Sequence, residues 1–401
     1  MSVSTTTTKG VWKLQDVRDN ILNNQWTQAG NLYGWGVNSY GELGVNNIVA
    51  CYASPIQIPS NSWNSIAAGA HSLAIKTDGT LWTWGCNIGG QLGDNTRVSR
   101  SSPVQIPGTT WNDISASGQF SLARKTDGTL WSWGKASGGN LGDGTVVNKS
   151  SPVQIPGTTW NDIAAAGDPY NTGNFSLARK TDGTLWAWGY NIDGNLGDNT
   201  IVSKSSPVQI PGTTWNDIAA AGIVNQFSGG EHFFSLARKT DGTLWAWGDN
   251  CVGQLGQNTI VRRSSPVQIP GTTWNDIAAG MYMGQFFGGN FSLARKTDGT
   301  LWAWGGNDCG MLGDGTVINR SLPVQIPGTT WSSISAGSGA ADGGFGLALK
   351  TNGTLWAWGY NFYGQLGDNT FIDKSSPIQI PGTSWNRIAA GGGHSLAIIC
   401  M

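Results

Sequence analysis

Few side chains in this sequence could do chemistry. There are three histidines, His71, His232 and His394. Only His232 has a carboxylate beside it, Glu231, and such a pair can pass a proton or lend two ligands to a metal. No nucleophile or third ligand stands at motif spacing from it. His71 and His394 both precede "SLA", where other stretches carry Phe, so they read as structural substitutes for that ring. The five cysteines, Cys51, Cys86, Cys251, Cys309 and Cys400, are odd in number and far apart. They offer neither a disulfide framework nor paired zinc spacings, and are expected as isolated thiols in turns and core gaps. The "GDNT" segments lack the terminal Glu of a calcium loop, and no phosphate-cradling glycine motif opens a helix. The expectation is no catalytic centre, no cofactor and no metal: not an enzyme.

What these residues would be mounted on is unusual in composition. Glycine accounts for 60 of 401 residues and tryptophan for 22, both well above ordinary usage. The 23 basic side chains balance 24 acidic ones, so the phosphate-neutralising excess of a nucleic-acid binder is missing. No apolar run is long enough for a membrane span, and the opening "MSVSTTTTKG" lacks the apolar core of a secretory signal.

The glycines and tryptophans recur together. "SLARKTDGTLWAWG" at 176–189 is repeated at 235–248 and 292–305, and the aromatic-glycine signature starts at Leu32, Leu81, Leu130, Leu185, Leu244, Leu301 and Leu355. A period near fifty residues built of strand-like pieces indicates a propeller or solenoid. "FSLARKT" and "TLWAWG" are β-prone runs joined by Asp-Gly, a hairpin signal. "SSPVQIPG" and "WNDIAA" supply two further short strands, giving four per unit. The ends decide between the two architectures. The first signature has no "SLARKTDG" before it, and the final "GGHSLAIICM" has no "LWAWG" after it. Joined, Ser395–Ile399 and Leu32–Gly36 make one unit, which removes the exposed edges of a ring. The prediction is an all-β, seven-bladed propeller of four-stranded blades over 29–401, with one blade shared by the termini.

The units resemble repeats of the regulator of chromosome condensation family, whose "WGxNxxGQLG" core reads here "WGCNIGGQLG" at 84–93, "WGYNIDGNLG" at 188–197 and "WGYNFYGQLG" at 358–367. The resemblance covers residues 31–400 and implies the propeller. It leaves function open among exchange factors, chromatin binders, ligase modules, inhibitors and structural pieces.

Between "IAAG" and "SLA" the copies diverge. The segment is short at 69–71 and 117–120, lengthens at 167–175, 222–234, 280–291 and 337–345, and is short again at 391–394. Entering each blade at one point, the insertions are expected on one rim of adjacent blades. Their candidate contact residues are Tyr170, Asn171, Asn225, Gln226, Phe227, His232, Met281, Tyr282, Met283, Gln285, Phe286 and Phe287; packing back onto the blades is the alternative. A basic residue also recurs before the Ser pair (Arg100, Lys149, Lys204, Arg263, Arg320, Lys374) and is expected as a solvated turn residue. Arg124, Arg179, Arg238 and Arg295 share a strand position with aliphatic residues, so a buried stem and a hydrated head are expected there.

Residues 1–28 belong to no blade. Leu14, Val17 and Ile21 suggest a short helix over 13–23, flanked by Trp12 and Trp26 as attachment anchors. This segment resembles the "GVW-L" leader of bacteriophage virion and tail proteins through Gly10, Val11, Trp12 and Leu14, although Thr27 replaces that family's proline. The resemblance implies a virion structural protein, bound to other virion or tail proteins through the leader and to a host-surface receptor through the rim. The alternative is a cytoplasmic protein-interaction module or an exchange-factor-like regulator of a small GTPase.

Overall fold

A computed structural model of the protein describes residues 30–167, 173–224, 230–282, 289–337 and 343–400. The anchors Trp12, Leu14, Val17, Ile21 and Trp26 lie outside the described residues.

Each unit folds as an antiparallel sheet that runs outward from a common axis. In one blade the inner strand Trp63–Ala68 pairs with His71–Lys76, then Leu81–Gly85, then the outer strand Arg100–Ile106. The plan recurs from Trp111, Trp160, Trp215, Trp274 and Trp331, giving blades numbered 1 to 6 here. Blade 7 closes the ring as expected. Its inner strands are Trp385–Ala390 and His394–Cys400, its third is Gly30–Val37 and its outer strand is Cys51–Gln57. The chain ends are paired without interruption from Gly30↔Cys400 to Gly36↔His394.

The tightest repeated feature lies between blades. The second Trp of each "LWAWG" is fully buried, and its Nε1 donates to a backbone carbonyl of the preceding blade. Trp133 reaches Gln91 O at 2.8 Å and Trp304 reaches Gln254 O at 2.9 Å. The Ser of "SLA" donates to the same oxygen, as Ser121 does to Gln91 O and Ser292 to Gln254 O. The glycine of "LG" seats that indole: a Cβ on Gly93 (φ 76°) would lie 2.7 Å from Trp133 Nε1. Two donors on one buried carbonyl and a ring against bare backbone explain why the chain holds Trp and Gly constant in all seven blades and Ser in six, Gly346 standing at that position in blade 6.

The Asp-Gly hairpins are three-residue loops, not two-residue ones. Gly79 N donates to Lys76 O at 3.0 Å and Gly79 takes φ 78°, the pattern of a turn completed by glycine in the left-handed region. The neighbouring Thr80 accepts from Trp82 Nε1 at 3.0 Å.

The recurring Arg heads depart from expectation. A bulge after the first residue of the inner strand sets Asp113 opposite Arg124, Asp162 opposite Arg179, Asp217 opposite Arg238 and Asp276 opposite Arg295. The guanidinium nitrogens lie 3.7–3.8 Å from these carboxylates, and the arginine side chains are only 12–15% exposed. Where the Arg becomes Ile75 or Leu349, the facing Asp becomes Ser65 or Ser333. The heads are therefore largely buried beside a cross-strand carboxylate.

Candidate functional site

Antiparallel order puts two sets of connections on one face of the disc: the hairpins between inner and second strands, and the loops after the third strands. The Asp-Gly turns occupy the opposite face. Four adjacent blades, 3 to 6, carry the lengthened hairpins, as the insertion pattern predicted. In blade 4 the insertion is largely continued sheet, with Gly222↔Phe233, Ile223↔His232 and Val224↔Glu231 paired. In blade 5 the pairing runs to Tyr282↔Gly289. Tyr170, Asn171, Asn225, Gln226, Phe227, Met283, Gln285, Phe286 and Phe287 lie outside the described residues. Met281 is half-buried, packs against the core between blades 4 and 5 and lines the axial cavity of about 150 Å³. That cavity is walled by Ala, Gly and Ser besides Met281, with no charged group among its lining residues.

The loop after each third strand shows what holds the face together. In blade 5 Asn307 Oδ1 accepts from Leu312 N at 3.0 Å, while its amide donates to Asp314, Thr316 and Ile318. Asp314 Oδ1 accepts from Thr316 N and Oγ1, and its Oδ2 meets Arg320 Nη2 at 2.8 Å. Burial acts to raise the Asp314 pKa, but the bonds from Thr316 and Arg320 outweigh it and hold the carboxyl below its ordinary value. Asp94–Arg100, Asp143–Lys149, Asp198–Lys204 and Asp368–Lys374 repeat the ion pair. These basic residues close their own loops and are not free turn residues; the resemblance to cation loops ends here, because protein donors fill the carboxylates.

Blade 4 departs from this plan. Gln257 stands where the Asp should be, and a separate cluster forms at the rim. Asp249 occupies the place of Tyr190 and Tyr360, Cys251 that of Ile88 and Ile192, and Arg262 that of Ser99 and Ser203. His232 Nδ1 lies 2.9 Å from Asp249 Oδ2 and 3.4 Å from Cys251 Sγ. Gln254 Nε2 donates to Asp249 Oδ2 at 2.7 Å, and Arg262 Nε donates to Asp249 Oδ1 at 3.0 Å. Arg262 Nη1 also reaches Asp193 Oδ1, from blade 3, at 2.9 Å. Asp193 Oδ2 accepts from Phe233 N, and Tyr190 donates its hydroxyl to Glu231. The cluster thus bridges two blades at the root of the longest insertion.

Its electrostatics are divided. Burial and the Asp249 charge push Asp193 up to about 7, against Phe233 N and Arg262. Asp249 is also pressed upward by burial, but the bond and charge of His232 bring it below its ordinary value. Burial and the adjacent Asp249 push the Cys251 thiol strongly up, the reverse of what activates a thiolate nucleophile. Cys251 and Asp249 approach the same imidazole nitrogen, whereas a Cys–His–Asp relay needs them on opposite nitrogens. The arrangement gathers donor atoms at one point; it does not line them up for proton relay.

Of the sequence candidates, the structure brings His232 into this cluster, and Cys251 proves to be an exposed thiol there and not a gap filler. Asp193, Asp249 and Arg262 were missed. His71 and His394 are structural as expected. Each is buried and gives Nε2–H to a serine of the next blade, Ser121 at 2.6 Å and Ser72 at 2.8 Å. Burial lowers their pKa values to about 3 and about 4, so both are neutral near pH 7.

Comparison with known proteins agrees with this architecture. The model of the regulator of chromosome condensation (RCC1) repeat matches residues 29–75, 78–124, 127–168, 182–236, 241–283, 298–340 and 352–398. The human E3 ubiquitin-protein ligase HERC2 is 28% identical over 231 residues, 57% of this chain and 4% of that protein. The ultraviolet-B receptor UVR8 of Arabidopsis thaliana is 27% identical over 227 residues, 55% of this chain and 48% of the receptor. The chain therefore spans from a small fraction to about half of the length of these relatives. Among solved structures, human WBSCR16 superposes with a TM-score of 0.78 at 20% identity, covering 92% of this chain and 98% of that one. Prp20p of Saccharomyces cerevisiae gives 0.78 at 22%, covering 94% and 93%.

Proposed function

We propose that this chain, which belongs to the regulator of chromosome condensation repeat family, is a non-catalytic protein-interaction module that receives its partner on the insertion face of blades 3 to 6. The carrying observation is the asymmetry of the disc. Lengthened hairpins and an irregular polar cluster, the only such cluster among the described residues, share a face and adjacent blades, while the other face carries short Asp-Gly turns in blades 1 to 5 and Asn352-Gly353 in blade 6. The loop tips add exposed aliphatic pairs, such as Ile260 and Val261, so polar and apolar contact groups adjoin as they do in protein interfaces. Prp20p, of similar shape, is described by its binding to Gsp1p and histones, and yeast RCC1 (Prp20) has been crystallised with Kap60. Those likenesses support a protein partner and do not name it. Exchange-factor-like regulation of a small GTPase is the narrower form of this reading, with a cytoplasmic location.

The virion reading rests on Gly10, Val11, Trp12 and Leu14 and on the "NNQW" at 23–26. The similar proteins named above are human, plant and yeast proteins and lend it no weight.

Replacing residues 225–230 by Asn-Gly shortens the blade 4 hairpin while keeping Phe233 and Phe234 in the core. Native circular dichroism together with at least about tenfold weaker partner capture supports the proposal. Undiminished capture of every partner refutes it.

A further inference from the structure

We propose that His232 Nδ1, Asp249 Oδ2 and Cys251 Sγ bind one divalent cation of the zinc class at the root of the blade 4 hairpin. The three donor atoms all lie within 4.8 Å of one another. A tetrahedral zinc shell with ordinary bond lengths separates N from O by about 3.3 Å and N from S by about 3.6 Å. The pairs stand at 2.9 and 3.4 Å, so a cation would be admitted by opening the cluster a few tenths of an ångström. One imidazole, one carboxylate and one thiol is a set that suits zinc and not calcium or magnesium, which prefer all-oxygen shells.

The surroundings are those of a held ligand set. Arg262 Nε and Gln254 Nε2 fix the Asp249 carboxylate, and Arg262 is itself tied to Asp193. Asn290 Nδ2 of blade 5 donates to the His232 carbonyl at 2.8 Å, anchoring that residue's backbone. Outer partners of this kind orient metal ligands. Asp249 and His232 are buried while Cys251 is exposed, which leaves an approach from solvent. Neither Asp nor Cys occurs at these two loop positions together in any other blade. Bound there, the cation would clamp the start of the second strand to the loop after the third and stiffen the base of the partner-facing hairpin. The site stands independently of the partner reading.

The test is titration of the metal-depleted full chain with cobalt(II), whose charge-transfer absorption reports a sulfur ligand, followed by displacement with zinc(II). One cobalt per chain with that band is expected. Cys251→Ile installs the residue that Ile88 and Ile192 already place at this position, so folding should survive. It should abolish the band and weaken cobalt binding by at least about tenfold. His232→Gln should weaken binding similarly, and Cys309→Ser should change nothing. Absence of stoichiometric binding, or a band that persists in Cys251→Ile or disappears in Cys309→Ser, would overturn the assignment. Thermal melts with and without zinc give a second reading: stabilisation in the parent chain, none in Cys251→Ile.

Discussion

The loops 307–320 of blade 5 and 250–263 of blade 4 begin from the same frame and finish differently. Both use a central Asn whose Oδ1 accepts from a buried Leu N, Leu312 in one and Leu255 in the other. Both offer a carbonyl to the indole of the following blade, Met311 O to Trp358 and Gln254 O to Trp304. They then part. Asp314 closes the blade 5 loop on Arg320, whereas Gln257 leaves Arg263 without that carboxylate, and Arg262 turns to the rim to hold Asp249 and Asp193. A frame fixed by backbone acceptors and glycine conformations tolerates the removal of its ion pair. The added charges, Asp249 and Arg262, stand where the hairpin is longest.

The comparison can be pushed from its shared part outward. Trp304→Ala and Trp358→Ala remove buried rings and their bonds to the two loops, and each should cost about 3–5 kcal/mol in denaturant unfolding. A much smaller loss for Trp304 alone would mean that blade 4 does not share the frame. Next, Asp314→Ala removes the carboxylate partner of Arg320 and one acceptor of the Asn307 amide, and should cost about 1–3 kcal/mol. Gln257→Ala should stay within about 0.5 kcal/mol, and equal costs would erase the distinction between the loops.

The smallest effect is in pH dependence, where Asp314 of the blade 5 loop and Asp193, the blade 3 carboxylate held by Arg262 of the blade 4 loop, should show opposite signs. Asp193 has a folded pKa raised to about 7 from 3.8. Its contribution is present below the unfolded value and is lost as pH rises through about 7. Asp314 is lowered, so its contribution is present above 3.8 and is lost as pH falls through the folded value. Melts across pH 2 to 8 should show Asp193→Asn flattening the side towards pH 7 and Asp314→Asn the side below pH 3.8; the same sign for both would contradict the assignment.

Much of this was legible in the sequence. The truncated first and last copies announced the ring, because a missing strand at one end matched a spare strand at the other. Phe at the positions of His71 and His394 in sister blades identified those histidines as packing residues. The Asp–Arg pairs near the axis were visible as a joint switch, Asp113 with Arg124 against Ser65 with Ile75. Their meaning needed the bulge that shifts Asp113 one place along its strand. Asp249, Cys251 and Arg262 could have been noticed as three departures from the copies within one loop. Asp193 and Tyr190 could not, since they come from the preceding blade and meet His232 and Glu231 only through the packing of the ring.

The central claim is that one face of the disc meets a partner. A photocrosslinking residue placed at Ile260, exposed on the insertion face, and in a second protein at Asp241, in the Asp-Gly turn of the same blade, tests it most directly. The account predicts partner adducts from position 260 and none from 241; adducts from 241 in place of 260 would contradict it.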